Sequence, residues 1–198
     1  MRLRGAVLDY TIKKVSDENE VTQALALFRK ILSDQSRPET WVEHMATQSD
    51  FMWIAVSDNE VIGGAFGRAV DTHLLVDKVA VEKRQRGRGI ARQLVLLLEE
   101  NARKRGLKII TIDSTDTGEV FYSKMGYSGC LIVQSEIISV EQLLSLNDRF
   151  PVRSTKAACG NGVNQIVLDL PKPGGDLQKG YINTFPGCVT YLNYTKEL

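Results

Sequence analysis

A chain of 198 residues, 43% hydrophobic and 25% charged, has the composition of an ordinary globular protein, large enough for one generous domain or a domain with an appendage. A net charge of +1 argues against a global pull toward nucleic acid or membrane, and no apolar run reaches the ~20 residues of a transmembrane helix or resembles a signal peptide. Three scattered cysteines (Cys130, Cys159 and Cys188) and only two histidines (His44 and His73) argue against a metal site and fit a reducing, cytoplasmic setting.

In chain order, Tyr10 to Val15 alternates like a short strand. Ser16-Asp17-Glu18 offers helix-start chemistry, and Val21, Ala24, Leu25, Phe28, Ile31 and Leu32 recur at helical spacing, predicting a helix over 18–33. Pro38 suits the first turn of a shorter helix. Runs at 51–56 and 61–67, joined by Ser57-Asp58-Asn59-Glu60, predict a hairpin, and a third strand covers 73–81. Residues 87–105 predict a long helix closed by Gly106, followed by a strand over 108–113, a short helix over 119–125 and a strand over 128–138. A strand, helix and strand in succession imply a right-handed crossover and a parallel pair. Beyond 138 the pattern predicts a helix over 140–147, a strand over 163–170, a linker at 171–175 and an edge-like strand over 189–194.

The informative segment is Val79-Ala80-Val81-Glu82-Lys83-Arg84-Gln85-Arg86-Gly87-Arg88-Gly89-Ile90-Ala91. A strand runs into a glycine-containing turn that opens a helix, where unpaired N–H groups and the positive end of the helix dipole favour an anion. Arginines add donors suited to phosphate. A loop with a solvated basic face is the plainer alternative. A P-loop would need Lys-Ser or Lys-Thr where Ile90-Ala91 stands, and a dinucleotide fold would need a third glycine.

Arg86-Gly87-Arg88-Gly89-Ile90-Ala91 resembles the Gln/Arg-x-x-Gly-x-Gly/Ala motif of the GNAT family of N-acetyltransferases. Phe121-Tyr122-Ser123-Lys124-Met125-Gly126-Tyr127 is similar to that family's Phe-Tyr-x-x-x-Gly-Phe/Tyr element, and the order of elements agrees over about two thirds of the chain. The resemblance implies an α/β fold with a mixed central sheet and flanking helices, and the tail beyond residue 138, longer than the family's usual closing strand, is expected to be a C-terminal extension. Residues 1–138 would be the acetyl-CoA-binding core, 139–170 a lid helix and final core strand, and 171–198 an extension. It implies further that Val79, Ala80 and Val81 line the pantetheine arm, with main-chain groups of Val79 and Val81 bonding it like an added strand. Arg86, Gly87, Arg88, Gly89, Ile90 and Ala91 would hold the pyrophosphate. Tyr122 would protonate the departing thiolate, as a phenol protonated at neutral pH can. Thr115 stands where the family often has asparagine.

An attacking amine must lose a proton, and the family often places a carboxylate on the strand entering the turn. By the resemblance that position is Leu75 here. Uninterrupted alternation would put residues 73, 75, 77, 79 and 81 on one face, making Asp77 the expected base, with His73, Glu82, Asp113 and Asp116 behind it. The resulting expectation is direct acetyl transfer from acetyl-CoA, as co-substrate, to a primary amine on a small molecule or peptide in a ternary complex. A CoA sensor without catalysis is the alternative. A nucleic-acid binder using Lys83 to Arg92 lacks aromatic platforms. The amine is expected near Trp41 and His44, and a crossing of residues 171–198 to a second subunit is a further expectation. The amine's identity, the acyl preference and the oligomeric state are not legible from sequence.

Overall fold

The computed structural model describes residues 9–114, 118–158, 162–171 and 174–198. The chain divides into two compact units, Met1–Ile110 with Leu198, and Thr111–Glu197. The first contains strands β1 (Thr11–Lys14), β2 (Met52–Ser57), β3 (Glu60–Val70) and β4 (His73–Val81), and helices α1 (Glu18–Leu32), α2 (Pro38–Gln48) and α3 (Ile90–Lys104). β5 (Ile109–Ser114) carries the boundary. The second holds α4 (Glu119–Lys124), β6 (Ser128–Ser135), α5 (Val140–Ser145), β7 (Val152–Lys156), β8 (Asn164–Leu170), α6 (Gly175–Thr184) and β9 (Val189–Glu197).

In the first unit β1-β2-β3-β4 form an antiparallel meander. Asp58 and Asn59 turn the β2–β3 hairpin with φ of 50° and 63°, the paired positive values that suit the strands' twist. Asp17 caps α1, its Oδ1 accepting from the Glu20 amide at 2.9 Å. Helices cover both faces of this sheet. A Cβ on Gly64 would lie 2.9 Å from Phe28 of α1, and one on Gly63 would lie 3.0 Å from Ile90 of α3, so adjacent β3 residues face opposite helices. Phe28, Phe66, Trp41, Leu25 and Ile54 are the centre of the core on the α1 side. The fold is thus α/β, multi-stranded and flanked by helices, as the sequence predicts.

The second unit orders its strands β5-β9-β6-β8-β7, with β6 antiparallel to both β8 and β9. Three expectations change here. The segment 139–162 is not simply a lid helix. α5, closed by a Ser139–Gln142 capping box, is followed by β7, an exposed edge strand on β8. The last core strand is β9 rather than β8, and β9 is interior, not an edge. Its polar alternation suits an antiparallel strand with one wet face, while Leu192 and Tyr194 point to the core. Residues 174–197 are therefore spent inside their own unit, and a crossing to a second subunit finds no support. α6 was not legible through Gly175 and Gly180, although Leu177 and Tyr181, both buried, stand at the i,i+4 spacing of a helix face.

Among the described residues, no helix is long and apolar enough to cross a membrane.

Candidate functional site

The turn between β4 and α3 belongs wholly to the first unit. The helix begins at Ile90 and not at residue 87, because Gly87 and Gly89 both take left-handed backbone, with φ of +80° and +81°. An L side chain costs about 1–2 kcal/mol there, which is why the motif needs glycine. Residues 83–85 form a single 3₁₀ turn before it. Within the described residues, the backbone N–H groups of residues 87 to 92 donate to no protein acceptor, and the first amide to bond back is Gln93, to the Gly89 carbonyl at 3.0 Å. A Cβ built on Gly87 would meet nothing within 4 Å beyond its chain neighbours. A row of free amides at the positive end of a 15-residue helix, with space beside it, is a site for a polyanion.

Upstream, the Glu82 amide bonds the Ile62 carbonyl of β3 at 2.8 Å. Main-chain groups alternate sides along a strand, so those of Ala80 also face β3, and those of Val79 and Val81 face away from it. The Val81 carbonyl accepts from Arg86 Nε at 3.2 Å. Ala80 is 5% exposed and packs within the core cluster.

Asp77 occupies a β-bulge. Phe66 pairs with Lys78 and Gly67 with Val76, leaving Asp77 as the extra residue. Residues directly opposite share a face, so His73 and Leu75, across from Val70 and Arg68, lie on the α1 side. Val79 and Val81, across from Ala65 and Gly63, lie on the α3 side. The expected common face of residues 73 to 81 is therefore broken at the bulge. Asp77 keeps its carboxylate beside Leu75's face, paired with Arg68 through Nε and Nη2 at 3.2–3.3 Å. Of the other acids, Glu82 pairs with Lys30 at 3.0 Å and Asp113 accepts from Asn193 at 2.8 Å. Thr115 and Asp116 lie outside the described residues.

Next to the bulge, Lys78 reaches Asp34 at 2.6 Å and lies 5.7 Å from the Trp41 ring centroid. Burial alone would raise the Asp34 carboxyl, but Lys78 and Ser36 together hold it below its usual range. The second oxygen of Asp34 is buried without a partner. His44 stacks at 5.3 Å from Trp41, so the region expected to receive the amine is an aromatic wall with a buried ion pair at its edge.

Tyr122 belongs to the second unit, in α4. It is 6% exposed, ringed by Phe121, Tyr127 and Tyr194 at 5.0, 5.8 and 5.6 Å between centroids. Burial pushes its phenol well above the usual value, so it is fully protonated at neutral pH. Gly118 allows this packing, since a Cβ there would sit 2.2 Å from the Ser114 hydroxyl and 3.1 Å from the Tyr122 ring. Glu119, 2% exposed, accepts from the Gly174 amide at 2.5 Å and ties the start of α6 to α4. Sequence patterning gave no sign of Glu119's role, because its partners lie more than fifty residues away.

The family model described as an acetyltransferase (GNAT) domain matches residues 11–136. The chain belongs to the GNAT family, a family of acyl-CoA-dependent acyltransferases. Acetyltransferase Atu2258 of Agrobacterium fabrum is 36% identical over 72 residues, which cover 36% of this chain and 53% of that relative. The chain thus spans about half the length of the curated relative it matches. Two solved structures share the fold. Arabidopsis thaliana Naa50, in complex with the bisubstrate analogue CoA-Ac-MVNAL, has 14% identity and a TM-score of 0.56, covering 96% of this chain and 100% of that one. Diaminobutyrate acetyltransferase EctA of Paenibacillus lautus, with L-2,4-diaminobutyric acid and coenzyme A, has 15% identity and a TM-score of 0.53, covering 81% and 94%.

Proposed function

We propose that this protein moves an acetyl group from acetyl-CoA to a primary amine by direct attack in a ternary complex. The observation that carries this is the run of unpaired amides from residue 87 to 92 at the head of α3, beside two glycines held at positive φ. These amides, from the turn through Ile90 and Ala91, would hold the coenzyme's diphosphate. Main-chain groups of Val79 and Val81 would bond its pantetheine arm. The CoA-containing complexes of both fold neighbours support the same reading.

In this mechanism the amine attacks the thioester carbonyl carbon. The tetrahedral intermediate expels the coenzyme's sulfur, and the Tyr122 hydroxyl supplies its proton. No covalent enzyme intermediate is required. Asp77, or a water it holds, takes the proton from the amine, and the Arg68 partner keeps its carboxylate oriented on the bulge. The acceptor would lie against Trp41 and His44, on a small molecule or a peptide. The diaminobutyrate bound by one neighbour is a precedent for the first kind.

Calorimetric titration with CoA, followed by thiol release across a panel of amines, tests the proposal, and absence of any CoA binding would sink it. Replacing Asp77 with Asn tests the base. Turnover should drop by about 10²- to 10⁴-fold and the pH profile should change shape. An unchanged profile would assign the base elsewhere.

A CoA sensor without catalysis is the second reading. The engagement of Asp77 by Arg68 favours it, because no other carboxylate on β4 is available. Thiol release in a single turnover with a competent amine separates the two.

A further inference from the structure

The diphosphate turn contains two glycines in left-handed backbone and, at Gly87, open space where packing atoms would otherwise restrain it. Glycine makes such a conformation accessible but does not hold it, so something else must fix the amides before a ligand arrives. The fixing contacts come from the far side of the sequence. Tyr10, immediately before β1 and 78 residues from Arg88, is 6% exposed and lies against the turn. Gln93, one turn into α3, donates its side-chain amide to the Tyr10 hydroxyl at 2.9 Å. That hydroxyl is left with its own proton, and it lies 3.5 Å from the Arg88 carbonyl. The Arg88 guanidinium covers the Tyr10 ring at 5.2 Å and pairs with the Asp9 carboxylate and the Gln85 side chain.

We infer that Tyr10 is a positioning residue for the coenzyme's diphosphate, holding the Arg88–Gly89 peptide so that its N–H faces the ligand. This rests on the acetyl-CoA reading above. The peptide is planar and trans, so a carbonyl turned toward Tyr10 sends the Gly89 N–H the opposite way, away from Tyr10. With the carbonyl facing Tyr10 across a long contact and the Arg88 side chain packed on the Tyr10 ring, the turn is partly ordered before binding, and that saved ordering appears as affinity. Arg88 serves through its main chain, as the motif implies, and its side chain braces the turn. Its amide belongs to the ligand, while its guanidinium is occupied by Asp9, Gln85 and the Tyr10 ring. Tyr10 touches no reacting atom and acts only through Gln93 and the turn.

The test is calorimetry of the full chain with CoA, comparing wild type, Tyr10→Phe, Gln93→Met and the double variant. Tyr10→Phe keeps the ring and removes the hydroxyl. Each single change should raise the Kd for CoA by about threefold to tenfold, the worth of a typical hydrogen bond. Because both act through one contact, the double variant should lose no more than the larger single effect. In turnover, KM for acetyl-CoA should rise with Kd. By contrast, kcat at saturation and KM for the amine should stay within about twofold of wild type, a split that loss of general stability would not produce. Wild-type binding with an unchanged Kd for Tyr10→Phe would overturn the inference and leave the acetyl-CoA reading standing. Fully additive losses in the double variant would overturn it too, by showing that Tyr10 and Gln93 do not work as one tether. Failure of the wild type to bind CoA would overturn both together.

Discussion

Tyr122 and Asp77 are the two side chains on which the proposed chemistry turns, and their surroundings differ sharply. Tyr122 is enclosed by three aromatic rings, and burial raises its phenol. A phenol so placed keeps its proton at neutral pH, as the proposed role of acid toward the departing sulfur requires. Tyr122→Phe preserves the ring packing and should lower kcat by about 10²- to 10⁴-fold while leaving KM for acetyl-CoA within a small factor, measured by thiol release. Asp77 is held by Arg68 on a bulge that no alternation pattern reveals. Sequence identified the residue types of the site because glycine at positive φ and a free amide row are local properties. It gave no hint of Tyr10. Which way a strand's main chain points, and what lies 78 residues away, are set by pairing and packing.

At the scale of elements, α1, the loop after it and β4 are joined by the Lys78–Asp34 pair, whose side chains are 12% and 8% exposed. Removing one partner of such a pair strands the other charge. Lys78→Met should therefore cost about 3–5 kcal/mol, seen as a lower denaturation midpoint in urea. The pH window of stability follows from the same contacts and from the buried phenols. Burial raises the carboxyls of Glu20 and Asp34, but Lys13 with Ser16, and Lys78 with Ser36, bring them below the usual range. Asp50 is lowered chiefly by Lys14. A carboxyl lowered in the folded state stabilises above its unfolded value, about 4, and that contribution is lost as pH falls through the folded value. Burial pushes Tyr181 up to about 12 and raises Tyr122 and Tyr194 further. A phenol raised in the folded state stabilises below its unfolded value, about 10, and that contribution is lost as pH rises through the folded value. Tm measured from about pH 3 to about pH 11 should therefore be flat in the middle, falling below about 4 and above about 10. Loss of Tm at neutral pH would contradict these assignments.

For the molecule as a whole, the most consequential element is the last one. β9 pairs along β6 from Ser128 opposite Thr195 to Gln134 opposite Val189, inside the sheet of the second unit. Ending the chain after Leu170 would bare the long β6 edge and uncover Leu131 and Tyr122, which lose Leu192 and Tyr194 as neighbours. The expected outcome is an aggregated product, assayed by size-exclusion chromatography, and not a folded enzyme with altered selectivity. Alternation over Val189 to Tyr194 predicted a strand there but not its place, since an edge strand and an interior strand with one wet face share the same period of two.

What the sequence by itself determined are the properties carried by neighbouring residues. These are the amphipathic helices α1 and α3, the 58–59 hairpin turn, the glycine turn that opens α3 and the family to which the chain belongs. Tertiary structure alone decided the bulge at Asp77, the interior place of β9, the burial of Tyr122 and the reach of Tyr10 to the turn. The physical reason is that helices, caps and turns are specified by torsion angles and hydrogen bonds within a few residues. The register of a sheet and the neighbours of a buried side chain are specified by contacts that close only when distant segments meet.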